Sequence, residues 1–259
     1  MMDVTAFLKR DYIQNLIKEG KRIDGRGFED RRTVTVEKGV AAEKAPGSAR
    51  VRLGETDVIA GVSMDVGEPY PDSPNDGVMS VTAELRPIAD PNFELGPPRE
   101  DSIELARVVD RGIRESKCID TGKLQISEDK VWVIFIDLHI LNNAGNLIDA
   151  AGIAAISALL DARMPKYEDE KIVRGEWAGK LPLTCTPIPL TFAKIAGNVV
   201  ADPCLDEEYA CDARLTVTTT DTLNAMQKGG VGSLTVEEVE RAVDLAFKKA
   251  GDVRKVVEK

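Results

Sequence analysis

Three arginines recur at helical spacing near the middle of the chain and are the first candidates for chemistry. At about 100° per residue, Arg107, Arg111 and Arg114 fall on one narrow stripe of a helix predicted over residues 102–116. The opposite side carries apolar or small residues, namely Leu105, Ala106, Val108, Val109, Gly112 and Ile113. Guanidinium groups stay charged and bind phosphate oxygens in pairs. The stripe therefore predicts either an anion-binding surface or a row of surface ion pairs.

The ion-pair interpretation has specific candidates. Asp110 and Arg114 are spaced i,i+4, and Glu104 and Arg107 are spaced i,i+3. Each such pair stabilises a helix by only about 0.2 to 0.5 kcal/mol. Asp101 or Ser102 is the expected N-cap of this helix.

Composition limits the classes of function. The 259 residues include 44 acidic and 34 basic side chains, for a formal net charge of -10. This balance argues against a general polycation that coats nucleic acid, so any RNA contact must be a local basic patch. Four cysteines without a Cys-x-x-Cys pair and a single histidine cannot form a usual zinc site. With no long apolar run or signal-peptide pattern, we expect a cytoplasmic protein with reduced thiols and no membrane contact.

The order of predicted elements indicates an α+β fold. Short β-branched runs precede the arginine helix, and a long strand over 130–141 precedes an Ala-rich helix over 147–162. A polar stretch over 166–179 is expected to link this half to further strands and a final helix that starts at a Thr235-x-x-Glu238 capping box. His139 lies inside the long strand, which favours a hydrogen-bonded core or near-core histidine over a catalytic base. We therefore predict two pseudo-duplicated β/α lobes with mostly antiparallel mixed sheets, residues 1–165 and 166–259.

Five short motifs in one order resemble the ribonuclease PH family. They are Arg22-Ile-Asp-Gly-Arg26, Gly47-Ser-Ala49, Leu53-Gly-Glu-Thr56, the segment 105–114, and Asp202-Pro203 followed by Glu207-Glu208. Within that family the chain is most similar to the RNase PH-like ring subunits of archaeal exosomes that alternate with catalytic subunits. The resemblance implies a ribonuclease PH-type fold over nearly the whole chain. It also implies that the Arg22–Arg26 loop supports the fold or the ring contact.

Active members of this family shorten RNA from its 3' end with inorganic phosphate as the attacking group, and two of their elements are altered here. Where the family has a Gly- and Ser/Thr-rich phosphate loop, this chain has Ala144-Gly-Asn-Leu-Ile-Asp149. Of the two family carboxylates spaced six residues apart, the first corresponds to Glu208 and the second to Arg214. The resemblance therefore implies a subunit without catalytic residues or a metal site of its own, because Glu208 and Arg214 are degenerate positions.

The same resemblance gives the arginine stripe a role. Arg107, Arg111 and Arg114 match positions that contact the RNA backbone next to the catalytic neighbour. Expected partners are single-stranded RNA, a catalytic RNase PH-like exosome subunit in a hetero-hexameric ring, and cap proteins with OB-fold or KH modules. Inorganic phosphate and a divalent metal are expected in the partner's active site, and no cofactor is expected on this chain.

Two alternatives remain open from the sequence. The first is a self-sufficient phosphorolytic exoribonuclease in which Glu208, Asp206 or Asp212 supplies carboxylates and Arg99 binds phosphate. The second is a small-molecule enzyme on the same scaffold, because a fold does not fix a function. A nucleotide-phosphate loop would favour the second, and the sequence contains no Gly-x-x-x-x-Gly-Lys-Ser/Thr motif.

Overall fold

A computed structural model describes residues 4–259, with side chains from Lys9 onward. Its helices are α1 Val4–Lys18, α2 Glu100–Glu115, α3 Leu147–Asp161, α4 Leu205–Ala210 and α5 Val236–Val257, with a 3-10 turn at Thr121–Leu124. Its strands are β1 Val34–Lys38, β2 Gly47–Leu53, β3 Thr56–Gly67, β4 Val78–Glu84, β5 Val131–Asn142, β6 Arg163–Glu168, β7 Lys171–Lys180, β8 Ile188–Ile195, β9 Asn198–Ala201, β10 Ala213–Thr219 and β11 Leu223–Gly229.

Two sheets form the framework. The first has the order β1-β2-β3-β5-β4 and is antiparallel except for the parallel β4–β5 pair. The second is antiparallel throughout, with the order β11-β10-β8-β9. These sheets confirm the predicted α+β class with mostly antiparallel mixed sheets.

The Ala-rich helix α3 lies between the two sheets and joins them into one core. It packs on β2, β3 and β5 of the first sheet and on β8 of the second. Every residue from Ile148 to Leu159 is buried, as expected for a helix that is apolar all round. The Pro189 side chain of β8 packs closely against the α3 backbone, since a Cβ at Gly152 would lie 2.7 Å from Pro189 Cγ. One hydrophobic core therefore spans both halves of the chain.

The segment predicted as a polar link between the lobes is a β-hairpin. Strands β6 and β7 pair antiparallel in a sheet of their own, and Arg163 stacks on the ring of Trp177 at 4.5 Å. The alternating charges of this segment hid the strand pattern. The boundary predicted between residues 165 and 166 falls inside β6, and residues 1–3 of the predicted first lobe lie outside the described residues.

One smaller prediction was wrong. The N-cap of α2 is Arg99, without a side-chain cap, while Ser102 Oγ donates to the Arg99 carbonyl at 2.9 Å. His139 lies near the core and not in it: it is on the outer face of β5, 44 % of its side chain is exposed, and Nδ1 is 3.5 Å from Glu84 Oε2. Strand alternation explains this position, because the neighbouring residues Leu138 and Ile140 take the buried face. Within residues 4–259, no helix is both long and apolar enough to cross a bilayer.

Buried arginines fasten the N-terminal loop to the second half of the chain. Arg22 and Glu207 form a bidentate pair of 2.8 and 2.6 Å, and both side chains are fully buried. Arg22 also donates to the carbonyls of Ala201 and Asp202, each at 2.9 Å. This arrangement agrees with the predicted fold-supporting role of the Arg22–Arg26 loop.

Replacing Arg22 by Met should destabilise the chain severely, because it leaves the Glu207 carboxylate buried without its charge partner. We expect the free energy of unfolding to fall by about 3 to 5 kcal/mol, as measured by chemical denaturation. The matched control is Arg241→Met, which breaks the exposed pair of Arg241 with Glu29 at 2.8 Å. That variant should lose less than about 1 kcal/mol. Equal losses in the two variants would contradict this account.

Candidate functional site

Helix α2 packs its predicted apolar face against the protein and turns its arginine stripe outward. Buried residues of this face are Leu105, Val108, Val109, Gly112 and Ile113. At Gly112 the helix runs close to β10, since a Cβ there would lie 3.3 Å from the Thr218 side chain. The packing of α2 on α3, β4 and β11 therefore fixes which residues point to solvent.

Arg107 and Arg111 are exposed and have no acidic partner among the described residues. Arg111 Nη1 lies 3.5 Å from Gln227 Oε1 on β11. Both arginines line a shallow depression of about 360 Å³ with Glu100, Ile103, Glu104, Val108 and Gln227. These two guanidinium groups are free to bind phosphate oxygens.

Arg114 is engaged as the ion-pair interpretation predicts. Its Nη2 and Nε atoms donate to Asp110 at 2.7 and 3.0 Å, and Nη2 also donates to the Met79 carbonyl at 3.1 Å. The hydrogen bond with Asp110 raises the pKa of Arg114 despite partial burial. The side chain is 53 % exposed, so its outer N–H groups can still reach an anion.

A cleft of about 360 Å³ beside the N-terminal half of α2 contains Glu208 and Arg214, the two positions predicted to be degenerate. Glu208 Oε1 accepts from the Asn146 N–H at 3.0 Å. Burial raises the pKa of Glu208 to about 7, against the opposing effects of this hydrogen bond and of the Arg214 and Arg32 charges. Glu208 is therefore a carboxyl group that titrates near neutrality.

Arg214 points to the same cleft but is bound to the other half of the chain. Its Nη2 donates to Glu104 Oε1 on α2 at 2.6 Å. Its strand neighbour in the register is Gly229 on β11, where a Cβ would lie 2.9 Å from Arg214 Nη2. Asp101 and Glu104 also line the cleft, but Glu104 is bound to Arg214, and the described residues contain no cluster of three or more side chains placed to hold a metal ion. A divalent cation needs several oxygen ligands, so the residues here do not fit one.

Residues 144–149, which were predicted to stand where a phosphate loop would lie, make contacts within the chain. Asn146 adopts a left-handed conformation with φ 56°, caps α3, and donates from Nδ2 to Asp149 Oδ2 at 2.9 Å. Asp149 is fully buried and accepts from Thr191 Oγ1 at 2.7 Å. Leu147 and Ile148 line the cleft. The carboxylate of Asp149 thus stays inside, and the cleft receives apolar side chains where phosphate would require donors.

Asp202 fixes the loop before α3 through hydrogen bonds to three side chains. It accepts from Arg32 Nη2 at 2.7 Å, from Asn146 Nδ2 at 2.7 Å and from Arg26 Nη1 at 3.0 Å. Burial alone would raise the pKa of Asp202, but the hydrogen bonds and charge of Arg32 outweigh it and lower that pKa. Sequence reasoning did not identify this cluster, although Asn146-x-x-Asp149 before an apolar helix is an N-cap signal.

The remaining candidates are scattered. Asp206 pairs with Lys9 at 3.1 Å, and Asp212 pairs with Arg10 at 3.3 Å. Arg99 pairs with Glu94 at 2.6 Å on an exposed segment. Neither aspartate lines the cleft that contains Glu208. The cross-lobe pair of Glu104 with Arg214 was also missed, because nothing in the local sequence brings residues so far apart together.

Replacing Glu208 by Gln should change the pH dependence of stability. The pKa of Glu208 is about 7 in the folded chain against 4.5 for the free group, so the folded state retains a proton that the unfolded state releases between these values. Wild-type stability should therefore fall as pH rises through this window. The free energy of unfolding of the variant minus that of wild type should therefore increase by about 1 to 3 kcal/mol from about pH 5 to about pH 8, as measured by chemical denaturation. The same difference at both pH values would contradict the assigned pKa.

Comparisons with known proteins identify the family of this chain. Residues 30–165 match the model of the "3' exoribonuclease family, domain 1", and residues 185–249 match that of the "3' exoribonuclease family, domain 2". The chain is 52 % identical to the exosome complex component Rrp42 of Pyrococcus abyssi, over 98 % of this chain and 95 % of that protein. It is 49 % identical to Rrp42 of Methanopyrus kandleri, over 99 % and 98 % of the two chains.

Solved structures give the same result. A chain of the Archaeoglobus fulgidus exosome with RNA bound to the active site superposes with a TM-score of 0.91 at 44 % identity, and the match covers 98 % of this chain and 99 % of that one. A chain of an archaeal exosome core superposes with a TM-score of 0.87 at 40 % identity, over 99 % and 98 % of the two chains. The chain therefore belongs to the ribonuclease PH family of 3' exoribonucleases.

Proposed function

We propose that this chain is a non-catalytic ring subunit of an exosome that degrades RNA from its 3' end by phosphorolysis. It contributes an RNA-binding surface and helps to complete the active site of a catalytic RNase PH-like partner. The full-length similarity to Rrp42 exosome components supports the assembly.

The observation that carries the non-catalytic role is the Arg214–Glu104 ion pair in the cleft. Arg214 lies in the same cleft as Glu208 and brings a positive charge there. Its Nη2 donates to Glu104 Oε1 of α2 at 2.6 Å, so the guanidinium is already paired with a carboxylate. Phosphorolysis requires donors for the attacking phosphate and a group that protonates the leaving oxygen. The apolar side chains of Leu147 and Ile148 at the cleft do not supply the phosphate donors.

The RNA-binding role rests on Arg107 and Arg111, with Arg114 at the end of the same stripe. Arg107 and Arg111 carry full charge at an exposed surface of a chain whose net charge is -10. They would contact phosphates and position the strand without reading its bases. The phosphate and divalent metal of the reaction would bind to the partner.

The proposed assembly alternates three copies of this chain with three copies of the catalytic partner. Cap proteins with OB-fold or KH modules would bind one face of that ring and deliver single-stranded RNA. We place the complex in the cytoplasm, in keeping with four free cysteines.

One observation favours the self-sufficient enzyme as a second candidate. The pKa of Glu208, raised to about 7 by burial, lies where a general acid or base works best. The two candidates differ in whether this carboxyl group is needed for RNA degradation.

Phosphate-dependent shortening of a labelled oligoadenylate separates them. The purified chain alone should show no shortening, and the chain reconstituted with its catalytic partner should degrade the RNA. Glu208→Gln should leave the rate of the reconstituted complex within about twofold, whereas Arg107→Ala with Arg111→Ala should lower kcat/KM by about tenfold. Shortening by the chain alone that is lost in Glu208→Gln would contradict the proposal and establish the second candidate.

A further inference from the structure

Glu104 and Arg107 are spaced for an ion pair that does not form. They lie three residues apart on α2, and both line the depression that also contains Arg111. Residues at this spacing are neighbours on a helix surface, and opposite charges there attract. An arginine paired in this way would have to give up its carboxylate before it could bind RNA.

The structure shows the carboxylate held elsewhere. Glu104 Oε1 accepts from Arg214 Nη2 at 2.6 Å, and the two side chains are 42 % and 23 % exposed. Arg107 has no hydrogen bond or ion pair in the part of the chain that the structure describes. Glu104 therefore pairs with Arg214 of β10 and not with Arg107.

Two features favour Arg214 over Arg107 as the partner of Glu104. Its guanidinium lies over Gly229, the cross-strand neighbour whose missing side chain leaves room for it. Its Nε is buried without a hydrogen-bond partner, and Glu104 is the carboxylate to which its guanidinium donates, while Glu208 interacts with it through charge. A partly buried cation gains more from an ion pair than the exposed Arg107 does, because solvent screens it less.

We infer that Arg214 is a positioning residue for RNA binding: it holds the Glu104 carboxylate toward the cleft and thereby keeps Arg107 free for a phosphate. The inference rests on the proposed function, since RNA phosphate is the ligand assigned to Arg107. Arg214, which stands where the family resemblance places the second carboxylate, thereby has a role in RNA binding. Glu100, in the first turn of α2, is the other acidic residue that lines the depression.

The test uses the full-length chain reconstituted with its catalytic partner and a fluorescein-labelled oligoadenylate, without phosphate so that no phosphorolysis occurs. Arg214→Met releases Glu104 to Arg107 and should weaken RNA binding by about two- to fivefold, with a smaller salt dependence. Glu104→Ala breaks the same ion pair but removes the competing carboxylate, so it should bind RNA as wild type does. Arg214→Met with Glu104→Ala should also bind as wild type.

The controls separate this role from simpler ones. Arg214→Met with Asp101→Asn restores the net charge but leaves Glu104 in place, and should stay as weak as Arg214→Met. Arg214→Lys keeps the pair and should bind normally. If Glu104→Ala is as weak as Arg214→Met, the ion pair is merely structural and the inference is overturned.

Arg107→Ala supplies the reference. It should weaken RNA binding, and in its background Arg214→Met should have no further effect. If Arg107→Ala weakens binding and Arg214→Met does not, this inference alone fails. If Arg107→Ala leaves RNA binding unchanged, both this inference and the RNA-binding surface assigned under the proposed function are contradicted.

Discussion

The need to pair every buried charge shapes this structure more than any other constraint. An ionised side chain away from water is costly unless a partner of opposite charge and enough hydrogen bonds surround it. Arg22 with Glu207, and Arg32 with Asp202, meet this condition between the N-terminal loop and the second half of the chain. Asp202 also binds Asn146, which caps the central helix α3. The loop, α3 and α4 therefore hold one another in place.

The same constraint explains the state of the cleft. Asp149 stands in the first turn of α3, where a helix favours negative charge, but its carboxylate faces Thr191 and Asn146 inside the protein. Glu208 has a backbone N–H as partner and a pKa of about 7 because of burial. Arg214 donates to Glu104 at 2.6 Å and lies close enough to Glu208 for its charge to act on that carboxyl group. Asp149, Glu208 and Arg214 are thus each engaged in contacts within the chain, whereas Arg107 and Arg111 on α2 are exposed.

The parts of the structure set by local pattern could be predicted from the sequence. The apolar stripe of α2, the hairpin between β2 and β3, and the Thr235–Glu238 capping box of α5 each follow from residues a few positions apart. The stripe also separated Arg107 and Arg111 from the buried face. Contacts over long sequence distances could not be predicted in this way. Glu104 is paired with Arg214 and not with Arg107 because tertiary packing brings α2 beside β10.

The β6–β7 hairpin and His139 show two other limits. In the hairpin, charged residues on both faces conceal the alternation that marks a strand. At His139 the long apolar run of β5 left open whether the side chain lies in the core or near it, and in the structure it lies on the face opposite to the buried Leu138 and Ile140. A sequence cannot show how many faces of a strand are covered, since that depends on the arrangement of the other elements.

The central claim is that Arg107 and Arg111 bind RNA phosphates in an assembled ring. The most direct measurement is the salt dependence of oligoadenylate binding by the reconstituted complex, compared between wild type and the variant with Arg107→Ala and Arg111→Ala. If each arginine contacts one phosphate in each copy that a strand touches, the slope of log K against log salt should become shallower by about 1.4 per copy, since each phosphate contact on a single strand contributes about 0.7. An unchanged slope and affinity would contradict the claim and return both residues to the role of a solvated helix face.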